Sequence, residues 1–143
     1  MPATVHELPA WECFDLLQGH GIGRLCLVDG GYPVAVPVNY RLTAAGGLTR
    51  LVVRTRPDSM VGRCRGPCAL EVDEIDLERG RAWSVIARGH LQPVHGGHDL
   101  PDPAPVIGGN RDRWMVLDVD IVSGRRFALA DAPDGCSVEW QIS

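Results

Sequence analysis

At 143 residues, with 45% hydrophobic and 22% charged side chains, the chain has the length of one ordinary domain and lies far from the disordered and membrane-embedded classes. Its net charge of -4 supplies no basic field that would draw it to nucleic acid or to an anionic bilayer, so neither is an expected partner. All 14 basic side chains are arginines, and without lysine there is no Schiff-base chemistry.

The opening segment, MPATVHELPA, has neither the basic start nor the apolar stretch of a leader, and no run approaches a membrane span. A cytoplasmic location and a single unit over residues 1–143 are therefore the expectations. The cysteines, Cys13, Cys26, Cys64, Cys68 and Cys136, are odd in number and lack the paired spacings of a zinc ribbon, which reads as reduced thiols. Cys64 and Cys68 carry a competing reading as a metal or redox pair.

The first element is a short amphipathic helix. It follows Leu8-Pro9, places Cys13, Leu16 and Leu17 on one face, and stops at Gly19 or Gly21. From Ile22 the period changes to two, with Ile22, Arg24, Cys26 and Val28 alternating against Gly23, Leu25, Leu27 and Asp29. The Asp29-Gly30-Gly31 turn then predicts a hairpin. The return strand, Tyr32 to Leu42, carries Pro33 and Pro37, so it is expected to be bulged or to border a site where pairing is interrupted.

The segment Leu48 to Ser59 reads as a strand that ends in polar groups. Leu51, Val52 and Val53 are apolar, and Arg54 and Thr55 follow just before Pro57. Arg54 can offer a planar fork to a phosphate, and Thr55, Ser59 and the turn amides can add hydrogen bonds. The plainer reading makes Arg54 a surface charge at a strand end.

A short helix from Met60 to Cys64, an alternating strand from Cys68 to Asp76 and a long buried strand from Ala82 to Val94 come next. His95 to Asp112, rich in glycine and proline, reads as a long loop of the kind that is often functional. Trp114 to Val122 resumes the alternation, Ser123-Gly124-Arg125-Arg126 is expected to end it, and a last short strand is expected near Ser137 to Gln141. One early helix and six or seven mostly antiparallel strands imply a mainly β protein, a closed or partly closed barrel, with any ligand at the rim or at a subunit interface.

Several segments together resemble the pyridoxamine 5'-phosphate oxidase-like flavin-binding split barrels, especially small bacterial members related to nitroimidazole reductases. They are ECFDLL (Glu12 to Leu17), GRL (Gly23 to Leu25), PVNY (Pro37 to Tyr40), VRT followed by Ser59, EVDEID (Glu71 to Asp76), WSVIARG (Trp83 to Gly89) and SGRR (Ser123 to Arg126), in family order. The resemblance implies a split barrel and a homodimer with cofactor sites at the interface. It also implies an FMN-dependent oxidoreductase acting on a small molecule. Residues matching Pro37, Val38, Asn39 and Tyr40 run beside the isoalloxazine ring. Those matching Arg54, Thr55 and Ser59 hold the phosphate, and those matching Trp83 and Ser84 lie near the ring or ribityl chain.

No catalytic acid or base is identified. The alternatives are a flavin- or haem-binding module without turnover, a barrel dimer with no redox cofactor, and a deazaflavin-dependent reductase. The chain departs from many relatives at Ala82, at Pro105-Val106, and at Met60, where a lysine often stands. Asn39 and Tyr40 can also be read as a strand end, Trp83 as core, and Arg125 and Arg126 either as solvated charges or as groups approaching an anionic ligand. No metal is expected: Glu71 and Asp73 read as the solvated face of a strand, and nothing fixes His90, His95, His98 and Asp99 as a ligand set.

Overall fold

Period-two alternation bounded by glycine turns does give strands here. The computed structural model describes residues 3–96, 98–104 and 111–129. Its elements are β1 (Ala3–Glu7), α1 (Ala10–Gln18), β2 (Ile22–Asp29), β3 (Tyr32–Asn39), β4 (Arg41–Ala45), β5 (Leu48–Thr55), α2 (Met60–Arg63), β6 (Gly66–Asp76), β7 (Arg81–Val94) and β8 (Arg113–Leu129). The strand expected near Ser137 to Gln141 lies outside the described residues, as do Pro105, Val106 and Cys136. No described helix is long and apolar enough to cross a membrane.

Among the described residues eight strands, all paired antiparallel, form one sheet in the order β3-β2-β6-β7-β8-β5-β4, with β1 added on β8. The end strands β3 and β4 are not paired to each other, which makes this a split β-barrel rather than a closed one. β7 sits at the centre of the order, as its composition implied. Alternate residues of the strands turn inward: Leu25 and Leu27 on β2, Leu70 and Val72 on β6, Val85, Ala87 and Leu91 on β7, and Met115 and Leu117 on β8 are all buried in one cluster, whereas Ile121, expected on the same face as Met115 and Leu117, is exposed. Cys13 and Leu17 of α1 join that cluster, so the helix covers one end of the core.

Three features differ from the sequence expectation. β1 was not foreseen, because five residues without turn signals gave no period. It pairs with the far end of β8 from Ala3↔Leu129 to Glu7↔Arg125.

The stretch Tyr32 to Leu42 divides at Tyr40. There the phenol is buried and donates to the Leu17 carbonyl at 2.6 Å, while the Tyr40 amide leaves the ladder for the Gly21 carbonyl at 2.9 Å. Pro33 and Pro37 fall on β3, an edge strand, where a missing amide costs no ladder bond.

β8 does not stop at Ser123. Gly124 is no turn residue here; a Cβ on it would lie 2.8 Å from the Cys13 Sγ and 3.1 Å from the Ser84 carbonyl oxygen. Glycine there lets α1 and β7 approach the strand, and Leu8 fixes the approach by donating its amide to the Gly124 carbonyl at 2.9 Å. Arg126 then reaches Glu12 at 2.8 Å and ties the strand to the first turn of α1.

Candidate functional site

The apolar run of β5 ends in a turn built by two hydroxyls. Thr55 is buried, and its Oγ1 lies 2.7 Å from the Oγ of Ser59. Ser59 donates to the Arg56 carbonyl at 2.8 Å and accepts the Gly62 amide at 3.0 Å, which makes it the N-cap of α2. Gly62 has no room for a side chain, since a Cβ would sit 3.0 Å from the Pro57 carbonyl oxygen and nearer still to that of Arg56. The turn is therefore tightly determined.

This turn faces the edge strand β3. Pro37, Val38 and Asn39 of β3, Thr55 and Ser59 of the turn, Met60, Val61, Ile22, Val36 and Arg111 line one cleft of about 410 Å³. Five of the nine residues singled out from sequence thus meet in one place, although β3 and the turn are well apart along the chain. Thr55 and Ser59 offer hydroxyls, Asn39 an amide and Arg111 a cation, on walls otherwise apolar. Small-molecule sites commonly have that composition.

Arg54 is not brought to this cleft. Side chains alternate along β5, so Arg54 leaves the opposite face from Thr55. Its Nη1 donates to both carboxylate oxygens of Asp102 at 3.2 and 3.1 Å, its Nε donates to the Arg111 carbonyl at 3.2 Å, and its guanidinium carbon stands 5.1 Å from the centre of the Trp114 ring. Tyr40, buried and bonded to α1, does not line the cleft either; burial pushes its phenol up from the ordinary value.

Trp83 and Ser84 line a second, larger cleft of about 730 Å³ on the outer face of β6, β7 and β8. Its wall includes Glu71, Asp73, Arg88, Ser123 and Arg125, and it shares no lining residue with the first cleft. Trp83 is only 8% exposed and meets the His20 ring edge-on at 4.8 Å, so it serves as core and as cleft wall at once. Of the two adjacent arginines, Arg125 faces this cleft and Arg126 is engaged by Glu12.

The sequence match to a known family is extensive. A family model for pyridoxamine 5'-phosphate oxidase matches residues 9–107. The chain belongs to the pyridoxamine 5'-phosphate oxidase family. Solved structures of similar fold include an FAD-binding protein from Mycobacterium smegmatis, with 24% identity, coverage of 87% of this chain and 99% of that one, and a TM-score of 0.66. Another is a pyridoxamine 5'-phosphate oxidase-type protein from Corynebacterium glutamicum, with 23% identity, 92% and 99% coverage, and a TM-score of 0.68. A third, an FAD-binding protein from Mesorhizobium loti, has 21% identity, 90% and 100% coverage, and a TM-score of 0.65. No curated protein matches the sequence significantly.

On the outer face of β6 the carboxylates of Glu71 and Asp73 are paired and only partly exposed, rather than freely solvated. Arg24 on β2 donates from Nε to Glu71 at 2.8 Å and from Nη2 to Asp73, so one guanidinium bridges both carboxyls at the edge of the larger cleft. Desolvation, with the neighbouring Asp73 next, pushes the Glu71 carboxyl up to about 7, while Asp73 is held below its ordinary value, first by its hydrogen bond with Glu71. Glu71 thus binds its proton more tightly folded than unfolded, and that part of the stability is lost as pH rises from about 4.5 to about 7. Glu71→Gln should flatten the dependence of urea-unfolding free energy on pH across that window. An unchanged slope would show that Glu71 does not titrate there.

The histidines are dispersed. His90 Nδ1 pairs with Asp120 at 3.0 Å, and His98 packs on the Trp114 ring at 4.4 Å. Among the described residues no group of three histidine, cysteine or acidic side chains has the proximity to hold a metal ion. The four described cysteines are free, and burial pushes the Cys68 thiol up to about 12, which makes it a poor nucleophile at neutral pH. Sequence reasoning passed over Arg111 as a cleft residue. Its only signal was a cation at the end of a glycine-rich loop, just before a strand that pairs with β5.

Proposed function

We propose that this chain binds a flavin nucleotide, FMN, and works as a flavin-dependent oxidoreductase on a small molecule, as a homodimer whose two sites lie at the interface. The observation that carries the reading is the convergence of Pro37, Val38 and Asn39 with Thr55 and Ser59 in one cleft, in a chain of this family. The residues fit the group. Ser59 and Thr55 can redirect their hydroxyl protons toward a phosphate by rotation about the Cβ–O bond, with Arg111 as counter-charge. Pro37 and Val38 supply a flat apolar wall, and Asn39 supplies a polar group for the ring edge. Neither large cleft is lined by a described histidine, so the donor set suits a flavin better than haem.

Bound flavin supplies hydride or electron transfer, and the protein contributes anchorage, orientation and electrostatics. Trp83 and Ser84 line a different cleft from Pro37 to Asn39, so one flavin touching both sets needs the second set from a partner copy. Ile22 and Ile75, one beside each cleft, are 60% and 46% exposed and would be covered in such a dimer. Similar structures carry the name of FAD-binding proteins, which supports a flavin as the class of ligand.

The test is the visible spectrum of the purified protein after incubation with FMN, FAD, deazaflavin coenzyme or haemin and gel filtration, with the mass of the eluting species measured by light scattering. Retained FMN on a dimer, followed by oxidation of a reduced nicotinamide with an acceptor, is the expected result. A Soret band, or no retained chromophore, would overturn it, and a retained flavin without turnover would leave a carrier rather than an enzyme.

A further inference from the structure

The turn that faces the first cleft has Met60 directly after Ser59, so no basic side chain of the turn itself lines that cleft. Among the described residues, the one basic side chain lining it comes from elsewhere in the chain: Arg111, two residues before β8. Its backbone is held from behind. Pairing of β5 with β8 sets Arg54 opposite Trp114 and Thr55 opposite Arg113, so Arg54 stacks on the ring next to the point where the chain enters β8. From there Nε donates to the Arg111 carbonyl at 3.2 Å, and Nη1 donates to Asp102 at 3.1 and 3.2 Å.

Asp102 is fixed in turn by the Ala104 amide at 2.9 Å. That amide first, and then Arg54, hold its carboxyl below the ordinary value, so it stays ionised at neutral pH. Arg54 therefore connects Asp102 to Arg111 through one guanidinium whose fork and ring face are both used.

We propose that Arg111 is the cation that recognises the ligand's phosphate in this cleft, and that Arg54 is a positioning residue that sets Arg111 through its backbone carbonyl without touching the ligand. This rests on the flavin-nucleotide reading above and assigns its anionic end. It reverses the simplest reading of the strand, in which Arg54 itself grips the phosphate. With Nε given to a carbonyl, Nη1 to Asp102 and its side chain leaving the opposite face of β5 from Thr55, Arg54 is held away from the cleft that Arg111 lines.

The two roles separate in a double-mutant cycle read with two probes, FMN and riboflavin, which differ only in the phosphate. The full-length apoprotein and its Arg111→Ala, Arg54→Ala, Arg54→Lys and Arg54→Ala/Arg111→Ala variants are titrated with each. Arg111→Ala should raise the Kd for FMN about ten- to a hundredfold and leave riboflavin within about twofold. Arg54→Ala should shift in the same direction, and the double variant should be no weaker than Arg111→Ala alone. Arg54→Lys should not rescue, because an ammonium on a flexible stem cannot serve Asp102 and the Arg111 carbonyl as the planar fork does.

Losses that multiply in the double variant, or rescue by lysine, would overturn the positioning role and return the phosphate to Arg54. Equal losses of FMN and riboflavin would reduce both arginines to a structural role. If the wild type prefers FMN but Arg111→Ala keeps that preference, this proposal alone falls. If the wild type binds FMN no better than riboflavin, the nucleotide reading falls with it.

Discussion

Replacing Gly89 by alanine should destabilise the protein by roughly 3 kcal/mol or more, enough to lower the melting temperature on the order of 10 °C or to send the protein into inclusion bodies. β7 and β8 form the longest pairing of the sheet, and its register shifts between Arg88 and Gly89, with Arg88 facing Ile121 and Gly89 facing Val119. Asp120 is the extra residue, a β-bulge in the middle of the sheet. A Cβ at position 89 would lie 2.8 Å from the Asp118 carbonyl carbon, closer still to its oxygen, and 3.1 Å from the Val119 Cα.

Nothing there is a flexible side-chain end that could swing away. Relief requires moving one strand of the central pair, which also carries Leu91, Met115 and Leu117 of the core. Gly21→Ala is the matched control. A Cβ there meets nothing within 4 Å, so it should change stability by less than about 0.5 kcal/mol. Equal melting curves for the two variants would mean that the bulge repacks at no cost.

Ser59→Asp should abolish FMN binding in a chain that still folds, at a modest cost in stability because a carboxylate cannot replace the bond that the Ser59 hydroxyl donates to the Arg56 carbonyl. Aspartate caps helices as well as serine does, so the bond that the Ser59 oxygen accepts from the Gly62 amide at 3.0 Å has a replacement. In the proposed site the new carboxylate would face the phosphate. At about 4 Å and an effective dielectric near 20, two like charges repel by about 4 kcal/mol, close to a thousandfold in Kd. Calorimetric titration with FMN, beside riboflavin and a melting curve, checks this. Retained FMN affinity in the folded variant would place the phosphate away from this turn, whereas loss of both flavins with a lowered melting temperature would point to a broken cap.

Much of this architecture was legible because neighbouring residues determine it. The helix over Ala10–Gln18 follows from the spacing of Cys13, Leu16 and Leu17, and the hairpin of Ile22–Asp29 with Tyr32–Asn39 follows from alternation around Asp29-Gly30-Gly31. Gly30 and Gly31 adopt φ of 58° and 84°, the left-handed conformations that such a turn demands. Gly124 misled for a related reason. Glycine also occurs where another element must come close, and the element in question, α1 with its Cys13, is more than a hundred residues away along the chain. A local window cannot distinguish the two uses.

The candidate site divides along the same line. That Thr55 and Ser59 form a polar turn after an apolar strand was visible in the sequence; the bulge or break in pairing that Pro37 suggested does not occur, because β3 is an edge strand and pairs with β2 in unbroken register. That these two segments share one cleft, that Trp83 and Ser84 belong to another, and that Arg24 bridges Glu71 and Asp73 depend on which strands are neighbours and in what register.

By itself the sequence determined α1, the β2–β3 hairpin, the approximate course of β5, β6 and β7 and the chemical character of the turn after β5, because each is set by torsional preferences and burial within a few residues. Only the tertiary structure decided which arginine meets the cleft. Side chains of adjacent strand residues point to opposite faces, so Arg54 and Thr55 part company, and the pairing of β5 with β8 carries Arg111 in from a distant segment to stand beside Thr55 and Ser59.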